Sequence, residues 1–270
     1  MANLKGKVAI VTGSSRGIGR AIAVDLANQG ASIVLNGRNE LRLAEAKEVL
    51  LKIHDRVVTV CCDISKKGSG ERLIKEAVER FGRLDFLVNN VGISSRGKVA
   101  DLSLEVFEAV FSSNLMGAVN PTISAIPELR KTQGSIIFIS SLAGIRGLPV
   151  LSAYCSSKMA LRAVAESIRV EEKQHNIHVG LVYVGITQIE HNKEVISSDG
   201  SMITLNARDN KKVQSTEYVA KMVSRNINKR KFITTLTGIG RLNAFMAPRF
   251  PLLVEKLILK NLQKFEEKSK

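Results

Sequence analysis

The chain has 270 residues, 44% of them apolar and 24% charged, a globular balance that excludes an intrinsically disordered protein. Forty Lys and Arg against 25 Asp and Glu leave a net charge of +15, which favours an anionic partner: a phosphorylated cofactor, nucleic acid or an anionic membrane surface. Cys61, Cys62 and Cys155 offer no disulfide framework and no metal-ligand spacing, which fits a reducing, cytoplasmic compartment, and no apolar run is long enough to span a bilayer.

The opening "MANLKGKVAIVTG" runs almost directly into a β-branched stretch and reads as lacking a signal peptide. Val8–Val11 is the first predicted strand, and "TGSSRGIGRAIAVDLANQGA" is a glycine loop feeding a helix. In that helix Ile18, Ile22 and Leu26 recur every fourth residue, and Gly30 stops it. Strands follow at Ser32–Leu35, Val57–Cys61, Leu84–Val88, Ser135–Ile139 and His178–Val184. Helices are predicted between them at Asn39–Ile53, Glu71–Phe81, over the single long stretch 103–125, and at Ala153–Lys173. Strands alternating with helices at this spacing mean right-handed βαβ units and a parallel, doubly wound α/β sheet. No repeat or linker divides the chain, and only the region after about Gly185 loses the rhythm. One domain over 1–247 is expected, with 186–247 as substrate loop and lid and 248–270 as a C-terminal helix.

Within this frame "SAYCSSKMAL" sets Tyr154 and Lys158 one helical turn apart. A phenol with a pKa of about 10 is a poor acid at neutral pH, and a neighbouring cation lowers that value towards use. The glycines at 13, 17 and 19 sit between the first strand and first helix. There they allow backbone to approach a pyrophosphate at a helix N-terminus.

The loop "TGSSRGIG" differs from G-x-G-x-x-G and resembles the T-G-x-x-x-G-x-G loop of the short-chain dehydrogenase/reductase family. The resemblance covers about residues 5–185: "NNVG" at Asn89–Gly92 is similar to that family's N-N-A-G turn, and Tyr154 and Lys158 match its Y-x-x-x-K. Ser141, thirteen residues before the tyrosine, matches its serine; Asn114 in the long helix matches a fourth catalytic residue. The resemblance implies a Rossmann-like fold binding a nicotinamide dinucleotide through Gly13, Ser15, Arg16, Gly17, Ile18, Gly19, Arg38, Asp63, Ile64, Asn90, Gly92, Tyr154, Lys158 and Thr187. It also implies roles: Tyr154 as proton donor to a carbonyl, Lys158 lowering its pKa and holding ribose, Ser141 polarising the carbonyl, Asn114 holding a water that links Lys158 to solvent. Ser140 competes with Ser141, since one step along a strand reverses the side chain; the spacing favours Ser141. Cys155 reads as structural, because no His/Asp arrangement supports a nucleophile there.

After the second strand the text is "IVLNGRNE", with Asn36 and Arg38 and no carboxylate at the strand end. An acid there would bond an NAD ribose; Arg38 with Arg16 suits a 2′-phosphate, so NADP(H) is expected. "VYVGIT" places Val184 where the family commonly has proline before Gly185. His54, His175, His178 and His191 show no metal spacing, and none of the chain's residues is predicted to bind metal. In the tail, Lys256, Lys260, Lys264 and Lys268 fall four apart beside Leu253, Val254, Leu257, Ile258, Leu262 and Phe265. That pattern suits either a helix in a membrane interface or one packed on its own domain, on the substrate cleft or on a neighbouring subunit.

The expectation is therefore an NADPH-dependent carbonyl reductase with a small lipophilic substrate, a 3-ketosphinganine-type keto-lipid or a ketosteroid. The resemblance implies a homodimer or homotetramer; peripheral membrane contact would run through 248–270. Lacking zinc spacing, an aromatic RNA platform or a basic low-complexity arm, the chain is not expected to bind nucleic acid. Two other classes stand beside this: a non-catalytic NADP-binding regulator, whose mark would be loss of Tyr154 or Lys158, and a membrane-surface protein indifferent to NADPH.

Overall fold

The computed structural model describes residues 3–188, 193–205 and 213–263. Its elements run β1 (Val8–Val11), α1 (Gly17–Asn28), β2 (Ser32–Gly37), α2 (Glu40–Leu51), β3 (Val57–Cys61), α3 (Ser69–Phe81) and β4 (Phe86–Asn89). They continue with α4 (Leu104–Phe111), a π turn (Ser112–Met116), α5 (Gly117–Thr132), β5 (Ser135–Ser141), α6 (Ser152–Glu171) and β6 (His178–Val184). The last part holds β7 (Lys193–Ile196), β8 (Met202–Leu205), α7 (Thr216–Lys229), β9 (Ile233–Thr235), α8 (Gly238–Arg249) and α9 (Pro251–Leu259). Among the described residues seven strands form one sheet in the order β3-β2-β1-β4-β5-β6-β9, every neighbouring pair parallel. The order reverses between β1 and β4, the switch point at which a doubly wound sheet opens a crevice at its carboxyl ends.

Burial on both faces explains why the strands read as unbroken apolar runs. Alternate residues of β1 go to opposite sides: Ala9 and Val11 join α1, α2 and α7, while Val8 and Ile10 join α3, α5 and α6. In α1, Ile22 and Leu26 are fully buried, each stabilising the fold by about 1.5–3 kcal/mol relative to exposure.

Two elements depart from the sequence pattern for identifiable reasons. β4 begins at Phe86 rather than Leu84, because the buried Asp85 carboxylate accepts from the Val8 amide at 2.9 Å and pairs with Arg83 at 2.7 Å and Lys7 at 3.1 Å. The predicted long helix is two helices joined by the π turn, in which the wider winding turns Asn114 inward to three hydrogen bonds that offset its poorer geometry. Past β6, β7 and β8 form an antiparallel hairpin that returns over the loop after β4, Ile196 bridging to Ser95. His191 lies outside the described residues, as do Phe265, Lys264 and Lys268 of the tail.

His178 opens β6 with its ring buried, Nε2 within 3.0 Å of the Lys231 carbonyl. Burial first, then the nearby Arg230 and Arg169 charges, push its pKa down to about 4, against the pull of the Lys231 carbonyl. Above its ordinary value of about 6.5 the residue is neutral in both states. Between about 6.5 and about 4 the unfolded chain carries the extra proton, so stability falls on acidification by roughly 3 kcal/mol in all. His178→Gln should remove this component. Urea midpoints across that range test it: equal pH slopes for both proteins would contradict the assignment.

Candidate active site

The crevice is built on the loop from β1 to α1. Gly13 and Gly17 take φ of +60° and +57°, conformations in which a Cβ is strained. A Cβ at Gly19 would stand 2.2 Å from the Gly13 carbonyl oxygen and 2.6 Å from Asn90 Nδ2. Asn90 shapes the loop from the end of β4: its Nδ2 donates to the Thr12 and Gly13 carbonyls at 3.1 Å each, and its amide donates to Thr12 Oγ1 at 3.0 Å. Ser14, fully buried, accepts from the Asn36 amide at 3.0 Å and ties the loop to β2. The helix that follows has Arg16 at its N-cap, no side-chain cap and no acidic residue in its first turn. With Ser15 and Ile18 half-buried around it, this cradle fits a dinucleotide pyrophosphate, for which the N–H groups of a helix N-terminus and the helix dipole supply the recognition.

The four predicted catalytic residues come from three elements, the π turn, the end of β5 and α6. Tyr154 is half-buried in the first turn of α6, and Lys158 one turn later is 4% exposed with Nζ 3.1 Å from the Ile139 carbonyl oxygen of β5. Gly92 has no side chain in the way: a Cβ there would meet Lys158 Nζ at 2.9 Å and Asn114 Oδ1 at 3.1 Å, so the ammonium and carboxamide share one side of it. Asn114 Oδ1 accepts from the Ile93 amide at 2.7 Å, and its Nδ2 donates to the Ile93 carbonyl and to Ser157 Oγ, both at 2.9 Å. Ser157 Oγ in turn donates to the Tyr154 carbonyl at 2.9 Å, completing a buried chain from the π turn to the tyrosine's helix. The two serines ending β5 separate as the pleat requires. Ser140 Oγ is buried and donates to the Lys158 carbonyl at 3.1 Å, while Ser141 is half-buried and its Oγ accepts from the Ala143 amide at 3.2 Å. Cys155 is buried, and burial raises its thiol pKa, the wrong direction for a nucleophile.

The adenosine side is set by the ends of β2 and β3. Arg38 is exposed just past β2. Asn36 is spent inside, its Nδ2 donating to the Val60 and Cys62 carbonyls at 3.1 and 3.3 Å. Burial works against ionisation of Asp63, but the Ser65 hydroxyl at 2.7 Å, the Ser65 amide, Arg38 and Lys66 outweigh it and hold the carboxyl below its ordinary value. Ile64 beside it is buried. Thr187 bridges to Gln214, and its Oγ1 donates to the Gly185 carbonyl at 3.2 Å. Val184, where the family commonly has proline, is a buried strand residue at the end of β6.

Thr12, Ser14 and Ser157 are structural partners of this site that motif reading passed over. Ser157 had a signal, lying three residues after Tyr154 on the helix. A small buried apolar cluster of Val106, Val110, Ala153 and Ile196, with Ile93 and Phe107 against it, includes Ala153, the residue before Tyr154. Among the described residues no group of three or more His, Cys, Asp or Glu side chains converges as a metal site.

Comparison with known proteins gives the family and the fold. The short chain dehydrogenase family matches residues 7–200, and the chain belongs to that family. It is 41% identical over 186 residues to a 3-ketodihydrosphingosine reductase of Bos taurus, covering 67% of this chain and 56% of that protein. The chain thus spans just over half the length of that relative. An alcohol dehydrogenase from the archaeon Thermococcus sibiricus, solved with 5-hydroxy-NADP, superposes with a TM-score of 0.74 at 27% identity, covering 85% of this chain and 94% of that one. A short chain dehydrogenase/reductase from Burkholderia phymatum, in complex with NAD, reaches a TM-score of 0.82 at 22% identity, over 94% of this chain and 96% of that one. At that identity the likeness speaks for the fold.

Proposed function

We propose that this chain is an NADPH-dependent reductase of a carbonyl carried on a hydrophobic, keto-lipid-like substrate. The observation that carries the chemistry is the buried Lys158 ammonium one helical turn from Tyr154, drawn across Gly92 beside Asn114. Bound nicotinamide supplies the hydride. Tyr154 gives its phenolic proton to the carbonyl oxygen, with the Lys158 charge favouring the phenolate left behind. The Ser141 hydroxyl donates to the same oxygen and polarises it. Asn114 fixes the loop at Ile93 and, by the family's pattern, holds a water through which Lys158 regains a proton from solvent.

The substrate class draws on the similarity to a relative named 3-ketodihydrosphingosine reductase. NADP selectivity draws on this chain's own residues. Arg38 stands exposed after β2 and Arg16 at the helix N-cap, with no carboxylate at 36–39 to repel a 2′-phosphate. Assembly as a homodimer or homotetramer, and contact of 248–270 with the cytosolic face of a membrane, belong to the same reading. Among the described residues no helix is long and apolar enough to cross a bilayer.

Arg38→Asp tests the cofactor assignment. It exchanges attraction for repulsion at the 2′-phosphate, and NADPH affinity should fall at least about tenfold while NADH affinity holds or rises. Fluorescence titration with both nucleotides reads this out; unchanged affinities would remove Arg38 from recognition.

A further inference from the structure

The last two helices wear their apolar residues outside. On α8, Ile239, Leu242 and Phe245 follow at three-residue intervals; on α9 stand Leu252, Leu257 and Leu259; each is more than half exposed. The inward positions are others: Gly240 lies against Leu142, and Ala247 and Val254 are buried. Six large apolar side chains left more than half exposed on two successive helices point to a binding surface.

A second, independent feature borders it. Between α7, β9 and the start of α8 lies a cleft of about 370 Å³ lined by Met222, Arg225, Asn226, Lys231, Ile233, Thr234, Thr235 and Arg241. Three cations and two hydroxyls face it and no carboxylate does; the Arg241 Nε donates to the Thr235 carbonyl at 3.3 Å. Across residues 238–260 the cations Arg241, Arg249, Lys256 and Lys260 meet one carboxylate, Glu255, itself 4.0 Å from Arg146. Arg249 lies over the Phe245 ring at 4.3 Å, a guanidinium carried on apolar surface.

We infer that α8 and α9 form a docking face for an anionic lipid bilayer, with the Arg225–Lys231–Arg241 cleft receiving a lipid phosphate headgroup. Leucines interleaved with Lys256 and Lys260 suit an interface in which apolar groups enter the acyl boundary and ammonium groups stay at the phosphates. A second copy of this chain fits worse, since a two-fold contact would press cations against cations with one carboxylate per copy to pair them. The face is fastened to the catalytic side. The first turn of α8 packs on Leu142, next after Ser141, and Arg146 donates to the Pro251 carbonyl at 3.0 Å. Docking thus brings the segment between Ser141 and Tyr154 towards the bilayer in which a lipid ketone dissolves. The docking deepens the proposed membrane contact of 248–270 and its purpose rests on the reductase chemistry, but it is measured without turnover.

The test is co-sedimentation of the full chain with phosphatidylcholine vesicles, with and without phosphatidylglycerol. Binding should be about tenfold tighter with the anionic lipid and weaken as salt is raised. Leu242→Glu with Phe245→Glu should abolish binding to both vesicles. Arg225→Gln with Arg241→Gln should leave phosphatidylcholine binding intact while the anionic preference shrinks to a few-fold, with thermal melts showing every variant folded. Vesicle binding without reduction of any lipid ketone upholds the docking and contradicts the reductase reading. The docking itself is overturned if the wild type ignores both vesicles, if the arginine pair leaves the anionic preference unchanged, or if the wild type is a dimer that Leu242→Glu dissociates.

Discussion

Tyr154→Phe is expected to bind NADPH as the wild type does and to lose between about a hundred- and ten-thousandfold in turnover. The substitution keeps the ring in the first turn of α6 and removes only the hydroxyl, so a loss in kcat at unchanged cofactor affinity reports the proton. Lys158 would still be buried and held to the Ile139 carbonyl at 3.1 Å, leaving its charge in place with no acid to act on. Lys158→Met should lose activity too and weaken nucleotide binding as well, because the ammonium serves both tasks. Stopped-flow turnover beside nucleotide titration separates these outcomes. Tyr154→Phe retaining turnover within threefold of wild type would take the tyrosine out of the mechanism.

Gly19→Ala should act through geometry and not through chemistry. Its methyl would need the space of the Gly13 carbonyl oxygen, 2.2 Å away, and of Asn90 Nδ2, 2.6 Å away. Both are backbone or hydrogen-bonded groups, and moving Asn90 breaks its bonds to the Thr12 and Gly13 carbonyls. A loss of roughly 1–3 kcal/mol in stability is expected, seen as a fall in Tm of about 2–4 °C for each kcal/mol. NADPH affinity should drop at least about tenfold as the cradle shifts. Gly17→Ala is the internal control: a Cβ there meets nothing within 4 Å, so only the strain of φ +57° applies, roughly 1–2 kcal/mol. An equal loss of NADPH affinity from the two alanines would mean that crowding at Gly19 does not shape the loop.

What could be read from the chain was local. The strand–helix rhythm, the glycine spacing and the one-turn offset of Tyr154 and Lys158 each lie within a few residues, and hydrophobic period and turn chemistry report such features directly. What could not be read depends on partners far along the chain. The π turn exists for Asn114, whose partners Ile93 and Ser157 are 21 and 43 residues away. The late start of β4 follows from Asp85 reaching Val8, 77 residues distant. The tail shows the same limit: amphipathic spacing called for a helix but not for which side packs. Val254 turns inward, while Leu253 and Leu257 stay exposed. Pro251 begins a second helix at the end of α8, so the apolar outer face reaches back to Ile239, upstream of the expected boundary.

The central claim is hydride transfer to a lipid ketone, and isotope tracking tests it most directly. The purified chain would be given 3-ketosphinganine in mixed micelles with NADPH deuterated at the transferable position, and the lipid analysed by mass spectrometry. The account predicts an amino diol carrying one deuterium at the carbinol carbon, formed at least about tenfold faster than with equally labelled NADH. Recovery of unreduced ketone from protein that has bound NADPH would contradict it.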